Sequence, residues 1–598
     1  MGKVKPPGMK QSFPGKWRFD AVFGLLFLCV LALGGRLYVL IQQNIDPARQ
    51  AAQRQQIMTA PLPAKIGNIY ARAYQRYTLL AGSRQKPFCY LDPTMVRDDR
   101  LADTAIEVAG LIGADPREIQ AVLLQRRTAR YVPLRQFDLT SQQVEAVRKC
   151  PLRCVGIDYD WEREYPNGDL AAAVLGFRLR DGLPGGGLEL SQQQHLKARN
   201  GQRTVLADAR RRAIYAMLDE CRPPRDGDSV FLTIDANIQR YLQDAIAESL
   251  AKYQGQWGAG LVVDVNTGEV LAMHSAPSFS PNEFETARAD QRTNRAITVP
   301  FEPGSIFKTI VAAAAVETGD INWQTRYFCE NGLYHPPRGG KVSDHGNRYG
   351  VMTAADIIRV SSNIGMAKIG ATMGNARLYA ILQRFGIGQR TGVELPGESP
   401  GMVRPLRNWD TYSTPRVPFG QEVSTTAIQM TMAYAALSNG GLLLKPRLVD
   451  RVVDADGQVV YQGKTQVVRR ALSPAVAAQT VGVMQQVIED GTGKACRLSH
   501  WTSFGKTGTA QIFHNGQLLE DAYTGSFIGG APASRPQILC LISIYRPIKS
   551  KGYYGGTVAA PYVKQVLEKT LAYLEVPHDR TAVLVTRDQP GRGRAPRD

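Results

Sequence analysis

No C-x-x-C pair occurs in the 598 residues, and the eight cysteines are scattered along the chain, which speaks against structural zinc. Cys150 and Cys154 lie close enough in sequence to bridge, although a buried reduced role fits them equally. Cys29 falls within an apolar N-terminal stretch, leaving seven cysteines elsewhere. An odd number leaves at least one unpaired, so the chain is not a disulfide scaffold. The formal charge is +19, yet no zinc-finger, helix-turn-helix or RNA-binding signature accompanies it. That excess is read as a basic surface facing anionic polymer or lipid headgroups, with no nucleic acid as partner. No second stretch is long and apolar enough to span a membrane.

One such stretch does exist. Lys3, Lys5, Lys10, Lys16 and Arg18 precede any acidic residue, and "AVFGLLFLCVLALGG" begins at Ala21. The apolar run resumes past Arg36 with "LYVLI", giving roughly 20 residues, enough to cross the hydrocarbon core. Arg36 can snorkel to the headgroups. The positive flank (1–19) is expected to stay in the cytoplasm, with a transmembrane helix over 20–41 and everything after it outside. A cleaved signal peptide is the alternative, since Ala32-Leu33-Gly34 offers small residues. Continuation of the apolar run beyond that site favours a retained anchor.

The 44% hydrophobic content is ordinary for a globular chain, and the length implies two to four domains. From 42 to 225 short apolar runs are broken by Gly and Pro, as in "YPNGDLAAAVLGF" and "GLPGGGLEL", which reads as a mixed α and β module without a catalytic cluster. From 226 to 575 the periodicity predicts a helix over 236–253 and two strands around Asn266-Thr267-Gly268. It then predicts helical segments over 310–317, 353–384 and 426–438, strands over 504–512, 524–532 and 537–545, and a closing helix over 559–574. Strands from both ends of a region, with helices between, indicate one α+β domain of about 350 residues. The Arg-, Pro- and Gly-rich end (576–598) is expected to be a disordered tail.

Three short motifs carry the chemistry. In "PGSIFKT" Ser305 and Lys308 are three apart, a spacing that puts both on one helical face. A serine at a helix start meets free N–H groups that favour developing negative charge. Lys308 can accept a proton only when neutral. From a reference pKa near 10.4, about one lysine in a thousand is neutral at pH 7.4, a cost of roughly 4 kcal/mol. Burial and a neighbouring cation must therefore depress it. In "VSSNIGMA" Ser361 and Asn363 sit on a turn between helices, where a hydroxyl can relay a proton and an amide can hold Lys308 and a substrate carbonyl. Alone, this is also an ordinary helix cap. In "KTGTA" Lys506 supplies a second cation, Thr507 can bond a carboxylate, and Gly508 removes a side chain that would obstruct substrate. Alone, K-T-G is usually a turn. S-x-x-K, S-x-N and K-T-G in that order form the set found in penicillin-binding proteins and class A β-lactamases.

With these motifs in place, the chain resembles the class B, monofunctional penicillin-binding proteins over nearly its whole length. "REYPNGDLAAAVLGF" and "GGGLEL" are similar to the family's pedestal signatures. "VVDVNTGEVLAM", "PSFSPN", "TNRAI", "FEPGSIFK", "SSNIG", "GVELPGE", "GKTGTAQ" and "YYGG" are similar to its transpeptidase signatures. "AKIGNIYAR" departs from the family form, which has an arginine before the glycine and an aspartate where Ala71 stands. The resemblance implies an antiparallel sheet with helices on both sides, preceded by a mixed pedestal or dimerisation-type domain and one transmembrane helix. It implies a D,D-transpeptidase in which Ser305 attacks the D-Ala-D-Ala end of a peptidoglycan stem peptide and β-lactams acylate the same serine. Lys308 would be the base, and Ser361 and Asn363 relay and positioning groups. Lys506 and Thr507 would bind the terminal carboxylate, with the Ser305 and Thr509 N–H groups as oxyanion hole. It implies no metal and no organic cofactor.

The length, the pedestal and the lack of appended C-terminal repeats make the resemblance nearer to the division type than to the elongation type. A bifunctional relative would carry an E-D-x-x-F-x-x-H type motif. Residues 1–225 contain only His195 and no such carboxylate pair, so a separate membrane glycan polymerase is the expected partner, beside other cell-wall synthesis proteins. The implied location is the bacterial inner membrane, with the catalytic domain outside it. The competing readings are a D,D-carboxypeptidase or β-lactamase-like hydrolase, and a non-catalytic penicillin-binding sensor or scaffold.

Overall fold

A five-stranded antiparallel sheet forms the centre of the C-terminal part of the chain. Its order is Val270–Ala276, Trp257–Asp264, Ile538–Tyr545, Gln517–Ala531 and Phe504–His514. The computed structural model describes residues 2, 16–179, 181–206, 220–337, 340–344, 347–514 and 517–580. The period of two in these strands sorts their side chains into two cores. Ala259, Leu261, Val263, Leu539 and Leu541 join one apolar cluster with the helices Phe307–Glu317 and Ala427–Ser438. Val262, Cys540, Ile542 and Ile544 join the other, with the helices Ala236–Tyr253 and Ala560–Tyr573. Gly258 and Gly260 point the same way as Val262, and a Cβ there would meet Ile246 at 2.7 and 2.9 Å. Helix 236–253 therefore lies directly on the backbone of the sheet. This is the α+β arrangement, helices on both sides of an antiparallel sheet, that the sequence predicts.

The expected strands, helices and hairpin are all present, with bounds shifted by a few residues. The segment 42–225, expected as a module of its own, is distributed differently. A seven-stranded sheet joins Ile69–Ala73, Arg76–Leu91, Val132–Leu134 and Val155–Glu164 to Ser229–Asp235, Val449–Val453 and Val459–Gln462. Ile69 pairs with Val230 in parallel register, and Val452 pairs with Val230 from the other side. The border at 225/226 thus falls between strands of one sheet. The chain divides by compactness into residues 1–64 with 199–225, and residues 65–198 with 226–598. The first unit holds the helix Lys16–Gln56 and a three-stranded sheet of Ile57–Leu62, Gly201–Leu206 and Glu220–Arg222. Within that helix Trp17–Gln43 has a mean hydropathy of 2.2 and no buried share, the only span among the described residues long and apolar enough to cross a membrane.

All eight cysteines are free, Cys150 and Cys154 included. Residues 576–580, assigned to the tail by the sequence, are held in place: Asp579 accepts bonds from Thr502 N at 2.6 Å and from Ser534 Oγ, and Arg580 pairs with Glu489 at 2.6 Å. The rest of that expected tail, and residues 3–15 of the basic N-terminal segment, lie outside the described residues.

One buried ionic cluster lies under the strand Val155–Glu164. Glu189, with no exposed side-chain surface, accepts from Arg163 at 2.6 Å and Arg178 at 2.5 Å, and from the Tyr165 hydroxyl at 3.1 Å. Two guanidinium groups out of water need that carboxylate, and removing one partner of such a set typically costs about 3–5 kcal/mol. Glu189→Gln should lower the stability of this unit by that amount, read as a fall in the urea midpoint of its unfolding. A change below about 1 kcal/mol would mean that water already reaches the guanidinium groups.

Candidate active site

The serine sits at a junction. Gly304–Ile306 form a 3-10 turn that runs straight into the helix Phe307–Glu317, so Ser305 precedes the α-helix proper. In 3-10 geometry residues i and i+3 eclipse, which keeps Ser305 and Lys308 on one side. Gly304 has φ +55 and lies against Thr509 O, so the turn needs glycine for both conformation and space. The Tyr434 hydroxyl, fully buried, donates to Ile306 O at 2.5 Å and pins the turn from below.

Lys308 is completely buried. Its Nζ donates to Ser361 O at 2.6 Å, Asn363 Oδ1 at 2.7 Å and Ser361 Oγ at 3.2 Å. Lys506, equally buried, donates to the same Ser361 Oγ at 2.9 Å, and to Thr507 O and Oγ1 at 3.1 and 3.3 Å. Two amines therefore meet at one hydroxyl. Burial lowers the Lys308 amine to about 7, with the Asp344 carboxylate pulling the other way. Burial, and then the charge of Lys308, hold Lys506 well below the usual lysine range.

Ser361 stands between the helices Ala354–Val360 and Asn363–Arg384, as the sequence predicts, whereas Asn363 is the first residue of the second helix. Ser361 caps the first helix in the left-handed conformation, φ +65, which aims its hydroxyl back at both lysines. Ser362 caps the second helix, its side chain accepting from Gly365 N. Both cap the chain, as the bland reading of this motif supposes, and Ser361 meets the lysines as well.

Lys506, Thr507, Gly508 and Thr509 lie on the strand Phe504–His514, an edge strand of the five-stranded sheet. Thr507 Oγ1 is 2.9 Å from Thr492 Oγ1, and Thr509 Oγ1 accepts from Gly555 N at 3.1 Å. A Cβ on Gly508 would meet Ile306 Cγ2 at 2.9 Å and Pro303 O at 3.3 Å. What crowds Gly508 is thus the serine-bearing turn, whereas the sequence suggests substrate. A cleft of about 670 Å³ opens here, walled by Ser305, Ser361, Asn363, Thr507 and Thr509, and by Tyr523, Tyr553 and Tyr554, whose rings lie in contact.

Sequence reasoning missed Asp344, Thr492 and Tyr434. Asp344 is buried and accepts from Ser362 Oγ at 2.7 Å, Asn363 N at 2.6 Å and Ile364 N at 3.1 Å, so one carboxylate holds the whole Ser-Ser-Asn turn. Nothing in "KVSDHG" marks it, because its partners lie about twenty residues on and meet it only through folding. No group of acidic, His or Cys side chains suited to a metal occurs among the described residues.

The fold and this cleft define a serine acyl-transfer class with paired buried lysines. The chain belongs to the penicillin binding protein transpeptidase domain family, which it matches over residues 258–568, and residues 61–178 match the penicillin-binding protein dimerisation domain. It is 32% identical over 399 residues to the probable peptidoglycan D,D-transpeptidase PenA of Neisseria flavescens, covering 66% of this chain and 96% of that one. It is 28% identical over 570 residues to stage V sporulation protein D of Bacillus subtilis, covering 93% of this chain and 85% of that one. Among solved structures, penicillin binding protein 3 of Mycobacterium tuberculosis complexed with aztreonam matches with a TM-score of 0.67 and 26% identity, over 87% of this chain and 98% of that one.

If Asp344 holds the turn, Asp344→Ala should free the amides of Asn363 and Ile364. A bond to a charged acceptor is worth about 1.5–3 kcal/mol, and 1.4 kcal/mol is tenfold. Native-state hydrogen exchange at those two amides should accelerate at least about tenfold, with the core of helix 307–317 unchanged. Equal acceleration in both places would mean global destabilisation instead.

Proposed function

We propose that this protein is a peptidoglycan D,D-transpeptidase which cross-links stem peptides through an acyl-enzyme at Ser305 and is acylated by β-lactams at the same atom. The observation that carries this is the meeting of Lys308, Lys506 and Asn363 around Ser361 on the wall of the cleft that also holds Ser305. The names of the relatives, peptidoglycan D,D-transpeptidase among them, and the aztreonam complex support the substrate and inhibitor class.

The chemistry follows from proton counting. Protonated Lys308 has three N–H donors and three acceptors in place; the neutral amine has two donors and a lone pair. On deprotonation the longest contact, to Ser361 Oγ, can reverse, with the hydroxyl donating to nitrogen. Ser305 Oγ attacks the carbonyl of the penultimate D-alanine and its proton goes to Lys308. Ser361 relays a proton to the departing nitrogen, the C–N bond breaks and D-alanine leaves. An amine from a second stem then attacks the ester and regenerates Ser305. The N–H groups of Ser305 and Thr509 face the oxyanion. Lys506 and Thr507 take the terminal carboxylate, whose charge favours the protonated Lys506 that burial and Lys308 disfavour. The strand 504–514, at the edge of the five-stranded sheet, lets the peptide add as a further strand.

The apolar N-terminal helix is a single-pass anchor. We place it in the bacterial inner membrane with the basic flank cytoplasmic and the catalytic domain outside, on the positive-inside asymmetry. The chain then works beside a separate glycan polymerase of the same membrane, in septal synthesis by its resemblance to the division type.

Intact-mass analysis should find one penicillin adduct that persists for hours, absent in Ser305→Ala; rapid turnover would point to the hydrolase reading and no adduct to the binding-only one. The acylation rate should rise with pH through about 7, where the neutral Lys308 fraction grows, and level off above it. Lys308→Arg, which keeps charge but cannot deprotonate, should lose about a thousandfold or more, and Lys506→Arg much less. Equal tolerance of both would remove Lys308 as base. The purified full-length protein should build no glycan from lipid-linked precursor unaided.

A further inference from the structure

Three residues before the serine lies a carboxyl that this reaction does not use. Glu302 Oε1 accepts the backbone N–H of Glu422 at 3.1 Å, while Oε2 is buried without a hydrogen-bond partner. The backbone on either side is tied to the same loop. Phe301 and Thr425 exchange two backbone bonds of 2.9 Å, and Gly304 N donates to Gly420 O at 3.1 Å. Gly420, at φ +83, comes so close that a Cβ would stand 2.2 Å from Gly304 O. Segment 301–304 and loop 420–425 therefore form one continuous seam, with Glu302 inside it and Ser305 at its end. Gln421 of the same loop, and Phe419 just before it, line the cleft.

The charged groups bearing on Glu302 are the Glu422 carboxylate and Arg416. Arg404 and Ser413 Oγ are engaged with Glu422 itself. An ionised Glu302 would thus keep a buried oxygen without a donor beside a second carboxylate. A neutral acid removes the buried charge: one oxygen accepts the amide and the other carries the proton, at the smaller cost of an O–H without an acceptor. We propose that Glu302 is a positioning residue that acts as the neutral acid, holding loop 420–425 against the serine-bearing turn, and that its ionisation loosens this seam. Burial raises its carboxyl to about 7, and the Glu422 charge adds to that, whereas the Glu422 N–H and Arg416 oppose it. The folded protein then keeps a proton that the unfolded chain releases near 4.5. The contribution of Glu302 to stability is consequently full below that pH and is lost as pH rises towards about 7.

Glu302→Gln mimics the neutral acid at every pH, and two ratios test the idea. The melting temperature of Glu302→Gln minus that of the wild type should grow between pH 5 and pH 8. The ratio of penicillin acylation rates, Glu302→Gln over wild type, should rise about threefold or more between pH 6 and pH 8.5; titration of Lys308 cancels in it. Glu302→Ala, lacking the acceptor, should acylate more slowly than Glu302→Gln throughout. A melting difference that stays flat with pH overturns the proposal, and a growing difference with a flat rate ratio overturns the positioning role. The rate ratio rests on acylation at Ser305. A wild type that shows no adduct would refute that reading by itself, and the melting difference would still decide on Glu302.

Discussion

Two lysine amines, both out of water, share one serine hydroxyl, and most of the architecture around the cleft follows from holding them there. An ammonium in water stays protonated and is useless as a base; burial, against the pull of Asp344, moves Lys308 to about 7. Burial in turn requires that each N–H find an acceptor, since an unpartnered donor in that position would cost more than the fold can spare. Ser361 O, Ser361 Oγ and Asn363 Oδ1 meet this need, and the left-handed backbone at Ser361 directs its carbonyl and hydroxyl together. Asp344 then fixes the turn that carries these acceptors while restraining the fall of the Lys308 affinity for its proton. One carboxylate serves geometry and electrostatics at once.

The sheet provides the rigid frame. Glycines 258 and 260 let helix 236–253 press on one face, and the alternate residues of the same strand fill the core beneath helix 307–317. Gly508 allows the edge strand to run against the serine-bearing turn, so that Lys506 and Lys308 approach Ser361 from two elements far apart in sequence. An edge strand is normally a hazard, because its open N–H and C=O groups can recruit another chain. On the proposed reading the same edge takes a peptide substrate that adds as a strand.

The low-dielectric surroundings act on both signs of charge. They favour neutral amines at Lys308 and Lys506 and a neutral acid at Glu302, so the turn around Ser305 is flanked by groups whose uncharged forms fit the fold. Both give up a proton as pH rises, with opposite consequences on the proposed reading: the amine becomes a base, and the carboxyl loses its fit.

The element types, the order of the three motifs and the anchor were legible in the sequence because each rests on local patterns. Short apolar runs mark the strands within 258–277 and 537–545, a period near 3.6 marks 236–253, and a long apolar run marks 20–41. Ser305, Lys308, Ser361, Asn363 and Lys506 were legible as a set because their residue types in that order have few other uses. Asp344, Thr492, Tyr434 and Glu302 were not, since a single Asp, Thr, Tyr or Glu has no meaning until folding supplies its neighbours. The sheet shared across 225/226 was hidden for the same reason: the parallel pairing of Ile69 with Val230 joins residues 161 apart. Local sequence determined which side chains were available and in what secondary structure. The tertiary structure alone decided which of them lost water, and with it their usual charge, because desolvation is set by what packs around a group and not by its neighbours along the chain.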